Sequence, residues 1–326
     1  MIIKHLNEDI SIEYALNLLL SGKVVAVPTE TVYGLAANIS DQNAVNKIYS
    51  IKNRPLDHPL IVHIANKKDL QIYCNNIPGY VMEIIDKLWP GPITFILNKT
   101  QRVPNYVTGG QDTVAIRMPS HKLTLKLIDK FGQAIVAPSA NKFTGISPTR
   151  PEHVIDEFGE IIDVLDGGPC EHGLESTIID ATNANFYKIL RYGSITSEKI
   201  DFILKEKYSQ IRCSNNLNHK LKFPGNHLKH YSPKKNLLLF KNKSDFEILI
   251  KKFTSLYVIY YSLELSCNKL KFYKIENNPH EFARNFYHAL RMGDNSDCQA
   301  IAIEAPPIDS ENWTAIWDRL NKAIIK

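Results

Sequence analysis

Apolar residues in this chain come in short blocks, and the segments between the blocks carry apolar positions at helical spacing. "VVAVPTE" (24–30) reads as a short buried strand running into a turn. "SDQNAVNKIYSIKNR" places Ala44, Val45, Ile48 and Ile51 on one helical face behind a capping Ser40 or Asp41. "PLIVHIA" is strand again, a helix near 79–88 precedes "WPGPITFILNK", and the strand "TVAIRMP" leads to the helix "HKLTLKLIDKFG". "AIVAPSAN" is a strand ending in polar residues, and "IIDVLDGG", "STIIDAT" and "YKILRYG" add more. Short strands interspersed with helices predict an α/β domain on a mixed, strongly twisted sheet.

From about 207 to 235 the pattern lapses. "KYSQIRCSNNLNHKLKFPGNHLKHYSPKKN" is rich in Asn, Lys and His and reads as a linker, although "PGNHLKHYSP" is specific in residue type for a spacer. Beyond it "NLLLF", "YVIYYS" and "AIAIEAP" alternate with helices near 243–253, 280–292 and 311–324. That βαβαβα order predicts a small parallel-sheet domain. The expected organisation is a first domain over 1–206, a linker over 207–235 and a small domain over 236–326.

Composition changes this picture little. The 326 residues are 44% hydrophobic and 22% charged, as in ordinary globular proteins. The net charge of +5 suits an anionic ligand such as a nucleotide or RNA, and equally a generic basic surface. Glu8, Asp9 and Glu13 stand where a signal peptide needs its apolar centre, so the N-terminus reads as an amphipathic helix. No run reaches the roughly 18 apolar residues of a membrane span. Cys74, Cys170, Cys213, Cys267 and Cys298 form no CxxC pair, which argues against a disulfide framework or zinc site. A reduced, cytoplasmic protein is expected.

Candidate chemistry collects where the strands end: "PTETVYG" (28–34), "KNRPLDHP" (52–59), "TVAIRMP" (113–119), "APSANKFTGISPT" (137–149), "GLESTI" (173–178) and "ILRYG" (189–193). Open α/β sheets bind ligands at such ends. These loops offer hydroxyls, Arg and Lys, which together describe a pocket for an anionic, hydroxyl-rich ligand. Each signal has a plainer reading beside it. Thr29 and Thr31 suit a turn after Pro28, and Lys52 and Arg54 suit a solvated helix end. His58 and His63 suit structural roles, and Ser139 and Asn141 suit caps. Arg117 differs, because an unpaired charge inside an apolar strand is costly and calls for a bound anion or a carboxylate partner. HExxH, zinc-ligand spacing, GxSxG, GxGxxG and GxxxxGK[ST] are all absent. Lys52 and Arg54 suit a polyphosphate, one as a point charge and the other as a fork. Positioning and charge neutralisation can carry adenylyl transfer without a covalent protein intermediate.

The motifs "PTETVYGLA", "KNRPLDHPLIVHI", "WPGPIT", "VAIRMP", "APSANKFTGISPT", "GLESTIID", "RYGSI", "PGNHLKHYSP" and "YHALRMGD…IAIEAP…AIWDRLNKA" occur in this order. Together they resemble the threonylcarbamoyl-AMP synthase family in its long form, over nearly the whole chain. The resemblance implies a YrdC-like catalytic domain, whose strongly twisted mixed sheet encloses a deep positive cleft, and a second, smaller Rossmann-like α/β domain. It also implies a reaction in which L-threonine, bicarbonate and ATP give threonylcarbamoyl-adenylate and pyrophosphate. A partner transferase then carries the group to an adenosine of ANN-decoding tRNAs.

By the same resemblance Lys52 and Arg54 would be catalytic, holding the phosphates and the departing pyrophosphate. His58, Thr113, Ser139, Asn141, Ser147 and Arg191 would complete the ATP side. Tyr231, with His230, would fold over ATP as a lid that excludes water. Thr31, His63, Arg117, Ala137, Ser176 and Thr177 would form the threonine side, with Arg117 forked onto the carboxylate. Mg²⁺ would travel on the phosphates, with no protein cage of its own.

Two positions depart from the family pattern. "ENW" (311–313) stands where a glycine-rich "GLG" is usual, which puts the docking of the small domain in question, and Tyr192 replaces a commoner proline. Two rival readings remain. One is a double-stranded RNA-binding module without catalysis, whose binding would weaken steeply with salt. The other is a different carbamoyl-adenylate, as made by YrdC-like domains of hydrogenase maturation proteins; no acylphosphatase or zinc-finger segment accompanies the motifs here, which favours free threonine.

Overall fold

The computed structural model describes residues 2–3, 8–214, 221–227, 230–265, 270–308 and 310–324. The first sheet contains β1 (Ile2–Ile3), β2 (Val25–Val27), β3 (Gly34–Asn38), β4 (Ile61–His63), β5 (Ile93–Asn98) and β6 (Thr113–Arg117). It continues with β7 (Ile135–Val136), β8 (Asp163–Leu165), β9 (Thr177–Asp180), β10 (Phe186–Arg191) and β11 (Arg212–Cys213). Their spatial order is β1-β8-β2-β3-β7-β4-β6-β5-β9-β10-β11, with parallel and antiparallel neighbours mixed, as expected.

Strand alternation decides what each face buries. Ala26, Leu35, Ala37 and Val62 join one core with Ile48 and Ile84, on the helices Gln42–Lys52 and Gly79–Leu88. Val25, Val27 and Ala36 point the other way, to Ile12 and Leu127 on the helices Glu8–Leu20 and Lys122–Phe131. Across β4, β6, β5 and β9 the second face carries Ile61, Ala115, Ile96 and Ile178, which are covered by Phe223 of the linker. That side of the sheet is thus covered in part by Phe223.

The second sheet is β12 (Asn236–Phe240), β13 (Leu256–Tyr260), β14 (Lys271–Lys274) and β15 (Ala300–Glu304), in the order β12-β15-β13-β14 and parallel throughout. Strand β14 adds to the three expected; Lys271 and Lys274 are exposed and its middle residues only half-buried, so it lacks an apolar signature. One face of this sheet buries Ile301 and Ile303 with Phe282, Phe286 and Leu320 in a core that also takes in Val32, Ile146 and Leu174 of the first domain. The two domains therefore share apolar contacts. Cys74, Cys170, Cys213 and Cys298 are free thiols, and Cys267 lies outside the described residues. No described helix is long and apolar enough to cross a membrane.

The "ENW" departure has a structural role. Glu311 of the small domain accepts from the Ser197 backbone N–H at 3.0 Å and from the Ser197 hydroxyl. Its carboxylate thus caps the helix Ser197–Leu204 of the first domain, where negative charge is favoured. Glu311→Ala is expected to lower stability by about 1 kcal/mol in urea denaturation; an unchanged midpoint would remove Glu311 from the docking contacts.

Candidate active site

The helix Gln42–Lys52 begins at Asp41, whose side chain accepts from the Ala44 N–H, and ends where Asn53 turns left-handed at φ 51°. Asn tolerates that conformation, and the turn aims Arg54 back under the helix. The solvated-helix-end reading of this segment is overturned, since Lys52 is 1% exposed and Arg54 8%. Lys52 donates to the carbonyls of Ser139 and Asn141, each at 2.5 Å. It braces the 139–141 loop from behind and does not line the cavity. Arg54 donates to the Pro59 carbonyl at 2.9 Å, lies 5.5 Å over the Phe143 ring, and does line it.

Arg117 obtains a carboxylate partner within the chain. One terminal nitrogen meets Glu30 Oε1 at 2.6 Å, the other donates to Thr31 Oγ1 at 2.9 Å, and both Arg117 and Glu30 are buried. Its Nε has no partner. The Thr29 hydroxyl donates to the Val32 carbonyl at 2.6 Å, so the Thr31 hydroxyl is the donor in the 2.8 Å contact between the two threonines. The turn reading of Thr29 and Thr31 is correct, and Thr31 reaches the cavity as well.

His63 stands beside Arg117 in the β4–β6 register, on the same face. Its Nδ1 lies 3.1 Å from the Ile61 carbonyl, which can only accept, so Nδ1 carries the proton and Nε2 a lone pair. Burial, then the Arg117 charge, lowers its pKa to about 3. His63 is therefore a neutral acceptor at physiological pH and a poor base. His153 is held down to about 3 in the same way, by burial and then Arg291. For both, the unfolded chain binds the proton more tightly, so stability falls as pH drops from 6.5 towards 3. The expected slope is about 1.4 kcal/mol per pH unit for each group. A urea midpoint that stays flat from pH 7 to pH 5 would contradict this.

The cavity between β3, β4, β6 and the linker is lined by Thr31, Arg54, His63, Arg117, Ala137, Ser139, Arg191 and Tyr231 among the residues expected from sequence. The other expected residues stand outside its lining. His58 stacks on His227 at 4.9 Å and borders a neighbouring hollow with Lys222. Thr113 opens β6 on the Arg117 face, with Ala115 and its Phe223 cover in between. Asn141 donates to the Gly145 carbonyl at 3.0 Å while its own Oδ1 is buried without a partner. Ser147 donates to Glu175 at 2.5 Å, Ser176 accepts from Arg191 at 3.0 Å, and Thr177 donates to the Ile195 carbonyl at 2.8 Å.

The linker closes the cavity. Arg191 donates to the Pro224 carbonyl at 3.3 Å, and Gly225, at φ +90°, passes so close to the Tyr231 hydroxyl that a Cβ would lie 2.6 Å from it. His230 and Tyr231 return over the opening; Leu228 and Lys229 of the expected lid lie outside the described residues. The free space left between these residues is about 50 Å³, room for a few waters.

Among the lining groups not singled out from sequence, Glu175 is the one with a charge. The Glu175 carboxylate is a hub that accepts from Ser147, from the Tyr287 hydroxyl at 3.0 Å and from Arg319 Nε at 2.9 Å. Burial would raise its pKa, but Arg319 and then Arg191 hold it down at about 2. Tyr287 and Arg319 come from the small domain, 112 and 144 positions away, a distance at which no local pattern reveals a pair.

Electrostatically the cavity is unbalanced. Glu30 pairs with Arg117 and Glu175 with Arg319, while Lys52, Arg54 and Arg191 have no carboxylate within 4 Å among the described residues. Burial, followed by Arg54 itself, lowers the Lys52 pKa strongly, and burial brings Arg54 to about 10. Arg54 and Arg191, which line the cavity without a direct ion pair, form a site for a polyanion, with Lys52 behind them bracing the 139–141 loop. Among the described residues no group of three or more His, Cys, Asp and Glu side chains is placed to hold a metal.

Two family models match the chain: one described as "Telomere recombination" over residues 17–193, and "Threonylcarbamoyl-AMP synthase, C-terminal domain" over 195–324. A Pyrococcus abyssi protein called threonylcarbamoyl-AMP synthase is 36% identical, covering 97% of this chain and 94% of its own. One of that name from Bacillus subtilis is 37% identical, covering 97% and 93%. The crystal structure of P. abyssi Sua5 complexed with L-threonine superposes with a TM-score of 0.88 at 33% identity, covering 99% of this chain and 97% of that one.

Proposed function

The chain belongs to the threonylcarbamoyl-AMP synthase family, and from that premise we propose that it converts L-threonine, bicarbonate and ATP into threonylcarbamoyl-AMP and pyrophosphate. The observation that carries this reading is the pair of buried arginines that line the cavity without a direct ion pair, Arg54 and Arg191, with Lys52 bracing the loop behind them. A triphosphate supplies the missing negative charge, with Mg²⁺ arriving as part of that substrate. The threonine nitrogen bonds to the carbon of bicarbonate, water leaves, and a carbamate oxygen attacks the α-phosphorus as its bond to pyrophosphate breaks. Arg54 and Arg191 receive the charge that develops on the departing phosphates. His58 belongs to the outer phosphate side. Lys52 acts through the 139–141 loop, which brings Ser139 and Asn141 to the α-phosphate, and Thr113 and Ser147 complete the nucleotide side.

On the threonine side Arg117 holds the carboxylate through the edge that Glu30 leaves open. Thr31, Ala137, Ser176 and Thr177 shape the pocket, and neutral His63 accepts a hydrogen bond from the amino acid. With a pKa near 3, His63 does not take up a proton at neutral pH, so the amine deprotonates to solvent or to the substrates. The product then passes to a threonylcarbamoyl transferase acting on ANN-decoding tRNA in the cytoplasm. In this reading 1–206 together with strand β11 is the catalytic domain, the linker segment after β11 up to 235 is the lid and 236–326 is the domain that supports it. Burial of the cations in separate loops weighs against a duplex RNA surface, which needs an accessible basic stripe.

The test is pyrophosphate release by the purified protein with each substrate omitted in turn. Release that needs both L-threonine and bicarbonate is expected. Release independent of threonine, or ATP-independent RNA binding that collapses with salt, would favour the rival readings.

A further inference from the structure

Tyr231 is held in an unfavourable conformation. Its backbone lies at φ +60°, and Thr144, whose carbonyl accepts from the Ser232 N–H at 3.0 Å, lies at φ +68°. Bulky and β-branched residues adopt left-handed backbone only under outside constraint. For Tyr231 the constraint comes from the small domain. Arg319, fully buried, stands 5.0 Å from its ring, and Tyr287 stacks on it at 5.8 Å with an angle of 28° between the rings. Arg319 is itself fixed on both sides, by Glu175 at 2.9 Å and by Asp318 at 2.6 Å.

We propose that Arg319 is a positioning residue: anchored by Glu175 of the catalytic domain, it holds its guanidinium over the Tyr231 ring and clasps the lid over the cavity. The small domain thereby acts in catalysis without touching substrate. The clasp must release for a nucleotide to enter the cavity and re-form to keep water from the mixed anhydride. Its catalytic consequence rests on the adenylate-forming reading above, but its mechanics do not.

The experiment uses the full-length chain. Amide exchange at 225–227 and 230–232, measured without nucleotide, is expected to quicken about tenfold in Arg319→Ala, the scale of a desolvated cation–π contact. Arg319→Lys should fall in between, because an ammonium keeps the charge and loses the flat face. This readout involves no chemistry, so it separates failure of the clasp from failure of the proposed reaction. In turnover, Arg319→Ala should release more pyrophosphate per threonylcarbamoyl-AMP recovered, as should Tyr231→Ala. Adding Arg319→Ala to Tyr231→Ala should change that ratio less than about twofold, because one acts through the other. Should Arg319→Ala not fold, the pair Glu175→Gln/Arg319→Met removes both charges of that ion pair together and must show the same faster exchange. Unchanged lid exchange in a folded variant overturns the proposal, and so do Arg319 and Tyr231 effects that multiply independently.

Discussion

Arg54→Ala is expected to cut threonine-dependent pyrophosphate release by about 10²–10³-fold, the usual cost of removing one preorganised donor from developing charge. The apo protein should lose little stability. Arg54 is buried without a carboxylate partner, and its pKa is pushed down to about 10, chiefly by burial. The folded state therefore disfavours its charge, and removing it relieves that cost even as the contact with Phe143 is lost. Activity lost without stability is the mark of a group kept for function. Lys52→Ala should behave differently. Lys52 bridges the Ser139 and Asn141 carbonyls, so its loss unlatches a loop and lowers the melting temperature along with the rate. ATP should also raise the melting temperature of the wild type and not of Arg54→Ala. A markedly lower melting temperature with turnover within threefold of wild type would make Arg54 a structural residue.

Arg117 shows how far sequence reasoning reaches into this site. An arginine inside "TVAIRMP" announces a buried charge that needs an anion, and the structure supplies one in Glu30. What could not be read was which anion. Glu30 lies 87 positions away in a loop where its neighbours Thr29 and Thr31 drew attention instead. Glu175 stayed unremarked within "GLESTI" for the same reason, because its partners Tyr287 and Arg319 sit in another domain. Strands with apolar alternation were legible, whereas β11, two residues long and partly exposed, was absorbed into the linker. Lys52 and Arg54 looked alike on paper. Folding gave them different work, since a helix end at Asn53 sends one against carbonyls and the other into the cavity. Local pattern predicts elements and the kind of charge present, whereas pairing is decided by topology.

Glu30→Ala is expected to destabilise the fold by about 3–5 kcal/mol, the cost of leaving one partner of a buried ion pair alone. Glu30 and Arg117 are both 3% exposed and meet at 2.6 Å, and Glu30 Oε2 also accepts from the Ser120 N–H at 3.0 Å. The substitution therefore orphans a guanidinium and a backbone donor together. The loss should appear in urea denaturation at pH 7. Arg117 lowers the Glu30 pKa against the opposing effect of burial, so the pair's contribution is present in full above the ordinary carboxylate pKa near 4.5 and fades only as pH falls below it. Wild type and Glu30→Ala should thus converge in stability in strong acid. A kinetic signature should accompany the stability loss. Glu30 fixes the Arg117 fork, which in turn donates to Thr31. The KM for L-threonine should therefore rise severalfold more than the KM for ATP, whose cations lie on other loops. Equal changes in the two KM values, or a midpoint shift worth less than about 1 kcal/mol, would mean that Glu30 neither anchors Arg117 nor shapes the threonine side.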